Sequence, residues 1–331
     1  MSNSIKIAVF GGGSWATVIV KMLTENLDQV GWYMRSNYAV EYIKRNKHNP
    51  NYISSIEFNP KQLILSDDIN AMVDYADYLI FAIPSAFVKE ELDKITTSFK
   101  GKVIFSAIKG IVPETGLIVG EHFHKVLKVP FENIGVITGP CHAEEVALER
   151  LSYLTLASLD EEKTQILGKY LESDFIKIKI TDDIFGTEYA AMLKNIYAIA
   201  AGIAHGLGYG DNFQSVLMSN SIREMKRYIK KVYKMKRNIN DSAYLGDLLV
   251  TGYSIFSRNR MFGNMIGKGY TVKSAMMEMS MVAEGYYATK CAHIINEKNK
   301  ARTPILDTIY RILYEGKDPK KEFKDLTNLL D

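Results

Sequence analysis

The sequence predicts an α/β unit built on a doubly wound parallel sheet, followed by an all-helical unit. Three observations predict it. The chain opens with an apolar run, Ile5 to Phe10, that passes through three glycines straight into an apolar-periodic helix. Strand and helix patterns then alternate for about half the chain. From about Thr187 strand signals fade and long helical patterns take over.

The strands read as Ile5–Phe10, Gln29–Met34, Tyr78–Ile83, Lys102–Ala107, Ile134–Thr138 and Tyr153–Ser158. Helical patterns fall between them at Ala16–Asn26, Ala39–Asn46, Asp68–Asp74, Ala86–Lys94 and Thr115–Leu127. Parallel sheets of this kind bind ligands at the carboxyl ends of their strands, so the loops after the strands carry the interest. In the second half, the stretches 202–210 and 263–269 read as glycine-rich breaks between helices. The division is expected near residue 185, giving a nucleotide-binding domain over 1–185 and a helical substrate domain over 186–331.

A chain of 331 residues is long enough for two cores. Its 47% hydrophobic and 24% charged residues are ordinary for a globular protein, and a net charge of +3 does not by itself call for nucleic acid or membrane. Two cysteines, Cys141 and Cys291, exclude a disulfide framework and fit a reducing cytoplasm. Neither a signal peptide nor a membrane span is expected; the most apolar stretch, 189–203, carries Lys194 and Asn195. The six histidines show no metal-ligand spacing, so no metal is expected. Residues 223–237 are dense in Lys and Arg, with Met225, Ile229, Val232 and Tyr233 at helical spacing; they read as a solvated helix face and not as a nucleic-acid surface.

The opening turn, Gly11-Gly12-Gly13-Ser14-Trp15-Ala16, is a dinucleotide-binding string of the Rossmann type. Gly11 allows the tight turn and Gly13 lets a pyrophosphate approach the backbone, with Ser14 and Trp15 at the helix start. The helix N-terminus offers free N–H groups and partial positive charge to the phosphates. In NAD-binding units an acid about 20 residues on holds the ribose 2′-hydroxyl. Here that place reads Trp32-Tyr33-Met34-Arg35-Ser36, without an acid. Arg35 and Ser36 are groups that suit a 2′-phosphate, which favours NADP(H) with NAD(H) as a second cofactor.

Further strings go beyond the fold: Lys109-Gly110, Gly139-Pro140-Cys141-His142-Ala143, Leu193-Lys194-Asn195, Leu245-Gly246-Asp247-Leu248, Ser257-Arg258-Asn259-Arg260 and Glu284-Gly285. In order and spacing they resemble the NAD(P)H-dependent glycerol-3-phosphate dehydrogenase family of bacterial type, over nearly the whole chain. The resemblance implies a helical domain of the 6-phosphogluconate-dehydrogenase type and an active site in the cleft between domains. It implies reduction of dihydroxyacetone phosphate to sn-glycerol 3-phosphate for phospholipid synthesis, with a homodimer and a cytoplasmic location as further expectations. It assigns Lys194 as proton donor to the nascent alkoxide and Asp247 as the acid that orients it. Lys109 would contact cofactor and substrate. Ser257, Arg258 and Asn259 would hold the substrate phosphate, with Gly139 and Cys141 lining the substrate. Arg258, Ala143 and Glu284 would face the cofactor. The family usually has a hydroxyl residue where this chain has Cys141, so this thiol is expected to line the cleft and to be reactive.

Overall fold

The computed structural model describes residues 5–279 and 283–331. Contacts divide the chain into two units. One comprises residues up to Ile108 together with Val119–Ile184; the other joins Lys109–Ile118 to Phe185–Asp331. The division therefore differs from a single cut near residue 185. The ten residues from Lys109 form a small hairpin whose Ile111 and Ile118 are buried in the helical core, and burial decides membership.

The first unit is an eight-stranded sheet ordered β10-β9-β8-β5-β4-β1-β2-β3. Its strands are β1 (Ile7–Phe10), β2 (Val30–Tyr33), β3 (Leu63–Ser66), β4 (Tyr78–Phe81) and β5 (Val103–Ser106), then β8 (Ile134–Thr138), β9 (Ser152–Ser158) and β10 (Ile176–Thr181). The hairpin of the other unit supplies β6 (Ile111–Val112) and β7 (Leu117–Ile118). Strands β1 to β5 and β8 pair in parallel, whereas β9 pairs antiparallel with β8. The thirteen residues between β8 and β9 hold one brief helix. β1, β2, β4, β5 and β8 are buried along their whole length, as strands covered on both faces must be.

Helices α1 (Ser14–Thr24), α2 (Asn37–Asn46), α3 (Ile69–Tyr75), α4 (Val88–Leu92), α5 (Val119–Lys125), α6 (Ala143–Ala147) and α7 (Glu161–Leu171) accompany the sheet. The pattern over Thr115–Leu127 reads as one helix in the sequence. In the structure its first residues complete the hairpin and only α5 is helical, because Leu117 and Ile118 pair with Ile111 and Val112. Edge strand β3 is invisible to periodicity because only Leu63 of its four residues is buried.

The second unit continues from α8 (Ile184–Gly206) through α9 (Asp211–Val232), α10 (Asp247–Tyr253), α11 (Arg258–Gly267), α12 (Val272–Glu278), α13 (Glu284–Asn299), α14 (Pro304–Tyr314) and α15 (Pro319–Thr327). α8 is its axis, and its residues from Ala190 to Ala204 are buried on every side. Among the described residues no helix is long and apolar enough to cross a membrane.

The glycine-rich stretches 202–210 and 263–269 do hold helix ends, since α8 stops at Gly206 and α11 at Gly267, but Gly202 and Gly263 lie inside those helices. A Cβ on Gly202 would stand 2.0 Å from the Arg260 carbonyl oxygen, and one on Gly263 would stand 2.1 Å from that of Ile199. Gly206 and Gly267 meet the facing helix as closely, at 2.4 Å from Asn264 O and Ile203 O. Two helices thus cross backbone on backbone, a contact that any side chain at these four positions would open.

Candidate functional site

In the sheet unit, the turn after β1 is built for close approach. Gly11 has φ +135°, and a Cβ there would lie 2.4 Å from the Ala82 carbonyl oxygen, so neither its conformation nor its surroundings admit another residue. Gly13 is different: its φ is −82° and nothing lies within 4 Å of where a Cβ would be. The space beside it is open, and the α1 N-terminus has neither a side-chain cap nor an acid in its first turn. That arrangement leaves backbone donors and the positive end of the helix dipole available to an anion.

Residues that no motif announces hold this turn. The Trp32 indole donates to Gly11 O at 2.7 Å. Asn49, fully buried, donates to Gly12 O at 3.0 Å and to Thr17 Oγ1 at 2.8 Å, while Thr17 Oγ1 donates to Gly13 O at 2.9 Å. Asn49 is 37 residues from Gly12, so no local signal could have pointed to it. At the end of β2, Arg35 is exposed and its guanidinium lies 5.7 Å from the centroid of the Phe87 ring, a cation–π distance.

The Gly139–Ala143 segment closes the other side of β8. Gly139 has φ +126°, and a Cβ there would meet Tyr153 O at 2.5 Å. Cys141 is 5% exposed, and its Sγ–H donates to the same Tyr153 oxygen at 3.3 Å. The thiol expected to line the substrate is thus buried and bonded to a carbonyl of β9. Ala143 begins α6 and is buried.

In the helical unit, Lys194 and Asp247 form an ion pair between Nζ and Oδ1, with the side chains 3% and 1% exposed. Asp247 opens α10 directly after a π-helical turn over Ser242–Gly246, a local rewinding common at functional sites. Burial pushes the Lys194 ammonium down to about 8; the Asp247 carboxylate opposes this, and the neighbouring Lys109 ammonium adds to it. Asp247 Oδ2 is buried without a hydrogen-bond donor among the described residues. Asn195 donates through Nδ2 to Lys109 O at 3.2 Å, which ties the hairpin to α8. Lys109, Lys194 and Asp247, far apart in sequence, thus come together.

Two further strings converge beside them. Asn259 is buried, and its Oδ1 accepts from Gly285 N at 2.9 Å. A Cβ on Gly285 would lie 2.7 Å from Asn195 O and 2.9 Å from Asn259 Oδ1. The first turns of α11 and α13 therefore meet α8 at Asn195. Ser257 is the N-cap of α11, its Oγ accepting from Arg260 N at 3.3 Å. The hydroxyl expected on the phosphate is thus engaged in starting a helix. Arg258 is exposed at the first position of that helix, and Glu284, half-buried, opens α13. His205 sits in the last turn of α8.

Comparison with known proteins agrees with this geometry. A family model described as NAD-dependent glycerol-3-phosphate dehydrogenase N-terminus matches residues 6–164, and its C-terminus counterpart matches residues 183–324. A relative from Lacticaseibacillus paracasei, named glycerol-3-phosphate dehydrogenase (NAD(P)+), is 34% identical over 97% of this chain and 94% of its own. One of the same name from Macrococcus caseolyticus is 32% identical over 98% of both chains. The crystal structure of glycerol-3-phosphate dehydrogenase from Coxiella burnetii superposes with a TM-score of 0.89 at 27% identity, covering 98% of this chain and 99% of that one.

Proposed function

The chain belongs to the NAD-dependent glycerol-3-phosphate dehydrogenase family, and from that premise we propose that it reduces dihydroxyacetone phosphate to sn-glycerol 3-phosphate with NADPH or NADH. The observation that carries the reading is the buried Lys194–Asp247 pair with Lys109 beside it. A buried ion pair is a poor source of net stability, and here it holds a lysine whose proton is loosely enough bound to be given away near neutral pH.

The residues present fit the cofactor. Gly11 and Gly13 with the open N-terminus of α1 would receive the pyrophosphate, Ser14 and Trp15 standing at the same helix start. Arg35 would meet a 2′-phosphate, and Glu284, Arg258 and Ala143 belong to the same reading on the cofactor side. When bound, the nicotinamide supplies the hydride that reaches the carbonyl carbon.

The chain's own groups do the rest. As charge develops on the carbonyl oxygen, the Lys194 ammonium neutralises it and transfers its proton there. Asp247 keeps that ammonium charged and pointed, and its second oxygen is left to accept a substrate hydroxyl. Lys109 adds positive charge and, through its effect on Lys194, makes the proton easier to release. Arg258 and the Asn259 amide nitrogen would take the substrate phosphate, where a guanidinium fork matches phosphate oxygens. Gly139, Cys141 and Ser257 enter this reading as residues that shape a turn and a helix start. A homodimer and a cytoplasmic location belong to the same proposal and rest on family membership.

The test is the loss of NADPH absorbance with dihydroxyacetone phosphate and, in parallel, with unphosphorylated dihydroxyacetone. Oxidation with the phosphate ester alone is expected. Binding of NADPH without oxidation of either compound would overturn the reading in favour of a nucleotide sensor.

A further inference from the structure

The charge of the chain is unevenly spread. Residues 223–237 hold eight Lys and Arg and a single acid, Glu224, whereas in the rest of the chain acids outnumber bases. Glu224 is fully buried and turned inward, its carboxylate accepting from Ile305 N and Leu306 N. The outer face of this stretch is therefore purely basic.

The fold sorts it into two sides. Met225, Tyr228 and Ile229 anchor α9 in the core, and Arg223, Lys226 and Lys230 are exposed on the opposite side. Beyond the helix end at Val232 the chain runs on without regular structure, and Lys234 and Lys236 alternate with Tyr233 and Met235. Tyr233 is 37% exposed, its ring stacked on Phe185 at 4.2 Å. An apolar-bodied side chain with a polar tip, set among lysines, suits the boundary between water and hydrocarbon.

The arginines and lysines of the stretch are treated differently. Arg223 is paired with Asp331, Arg227 Nε donates to Arg302 O at 3.2 Å, and Arg237 Nη1 donates to Tyr233 O at 3.3 Å. Lys226, Lys230, Lys231, Lys234 and Lys236 are exposed and have no ion-pair partner among the described residues. The guanidinium forks that could read a particular phosphate are occupied at home. What faces outward is a set of point charges, suited to a diffuse anionic surface more than to a nucleic-acid groove.

We propose that the C-terminal half of α9 and the segment following it, residues 226–236, dock this protein reversibly onto anionic lipid bilayers, by charge with shallow contact at Tyr233. The inference is independent of the reaction proposed above, because none of these lysines takes part in it.

The experiment is flotation of the full chain with vesicles of phosphatidylcholine alone and of phosphatidylcholine with an equal part of phosphatidylglycerol, at low and high salt. Binding to the anionic vesicles only, lost at high salt as charges are screened, is expected. A Lys226→Gln, Lys230→Gln, Lys231→Gln, Lys234→Gln variant should partition onto them about 100-fold more weakly or worse, with unchanged turnover of dissolved substrate serving as the measure of folding. Absence of the wild-type protein from anionic vesicles at low salt would overturn the proposal. So would a variant that floats as well as wild type, or displacement of bound protein from the vesicles by stoichiometric duplex DNA.

Discussion

Two helix N-termini show how this protein treats the same physical opportunity in opposite ways. At α14 the chain supplies its own acceptor: Pro304 removes one donor, and the next two backbone N–H groups are met by the oxygens of the buried Glu224 carboxyl at 2.8 and 2.9 Å. At α1 the cap is Gly13, no side chain accepts from the first turn, and the space alongside is open. Other helices follow the pattern of α14, with Asp68, Asp160 and Asp318 accepting from their own first turns. A filled end is a structural joint. An end left open beside a strand–glycine turn is available to a ligand's phosphates.

The largest expected effect separates binding from chemistry. Lys194→Met should lower kcat by about 10²- to 10⁴-fold while NADPH titrates as in wild type, because cofactor capture is assigned to α1 and proton transfer to α8. In wild type the acid must be protonated, so ketone reduction should decline as pH rises through about 8. Asp247 raises the Lys194 value, so Asp247→Asn should move that decline to lower pH; an unmoved limb in a pH–rate profile would assign it to another group.

Next in size is the helix crossing. Gly263→Ala places a methyl 2.1 Å from the Ile199 carbonyl. A loss of about 3 kcal/mol in denaturant unfolding is expected, since facing backbones cannot yield as side chains do. Because α11 also begins with Arg258 and Asn259, the KM for dihydroxyacetone phosphate should rise more than that for NADPH.

At the two helix ends themselves the effects are smaller and opposite in kind. Ser14→Asp puts an acid in the first turn of α1, where its charge is favourable to the helix and repels phosphate. Thermal stability should hold while the NADPH KM rises about tenfold; a KM unchanged beside a lowered melting temperature would remove α1 from the cofactor site. Glu224 tests the filled end. Burial pushes its carboxyl from 4.5 to about 8. A group raised in the folded state contributes stability that is complete below the unfolded value and is lost as pH rises through the folded one. The melting temperature should therefore fall between about pH 5 and pH 9, and Glu224→Gln, which cannot ionise, should flatten that fall.

Some of these features stand plainly in the sequence and others do not, for reasons of distance along the chain. The turn at Gly11–Gly13 is readable because strand, glycines and helix lie within about 20 residues and each has a local signature. Lys194 is conspicuous because a lysine interrupts an apolar helical run. Strand β3 escapes notice because one buried residue makes no alternation. Gly202 and Gly263 look like breaks, since a helix-interior glycine is costly alone and is repaid only by a second helix that the local pattern does not contain. Asn49 and Trp32 carry no mark of their service to the glycine turn. Nothing near Cys141 in the sequence announces its partner, Tyr153 O, which lies on the next strand.

The sequence by itself determined the two kinds of unit and the strand–glycine–helix turn that opens the chain. Each of these rests on local periodicity or on a short string whose chemistry does not depend on what lies opposite. The tertiary structure alone decided that Lys109–Ile118 packs with the helices, that α8 and α11 touch through four glycines, that Lys194 meets Asp247, that Ser257 caps α11 and that the Cys141 thiol reaches Tyr153 O. These are pairings between distant residues. Burial, desolvation and close approach arise only when the second partner arrives, so the physical quantity that gives each residue its job does not exist until the chain has folded.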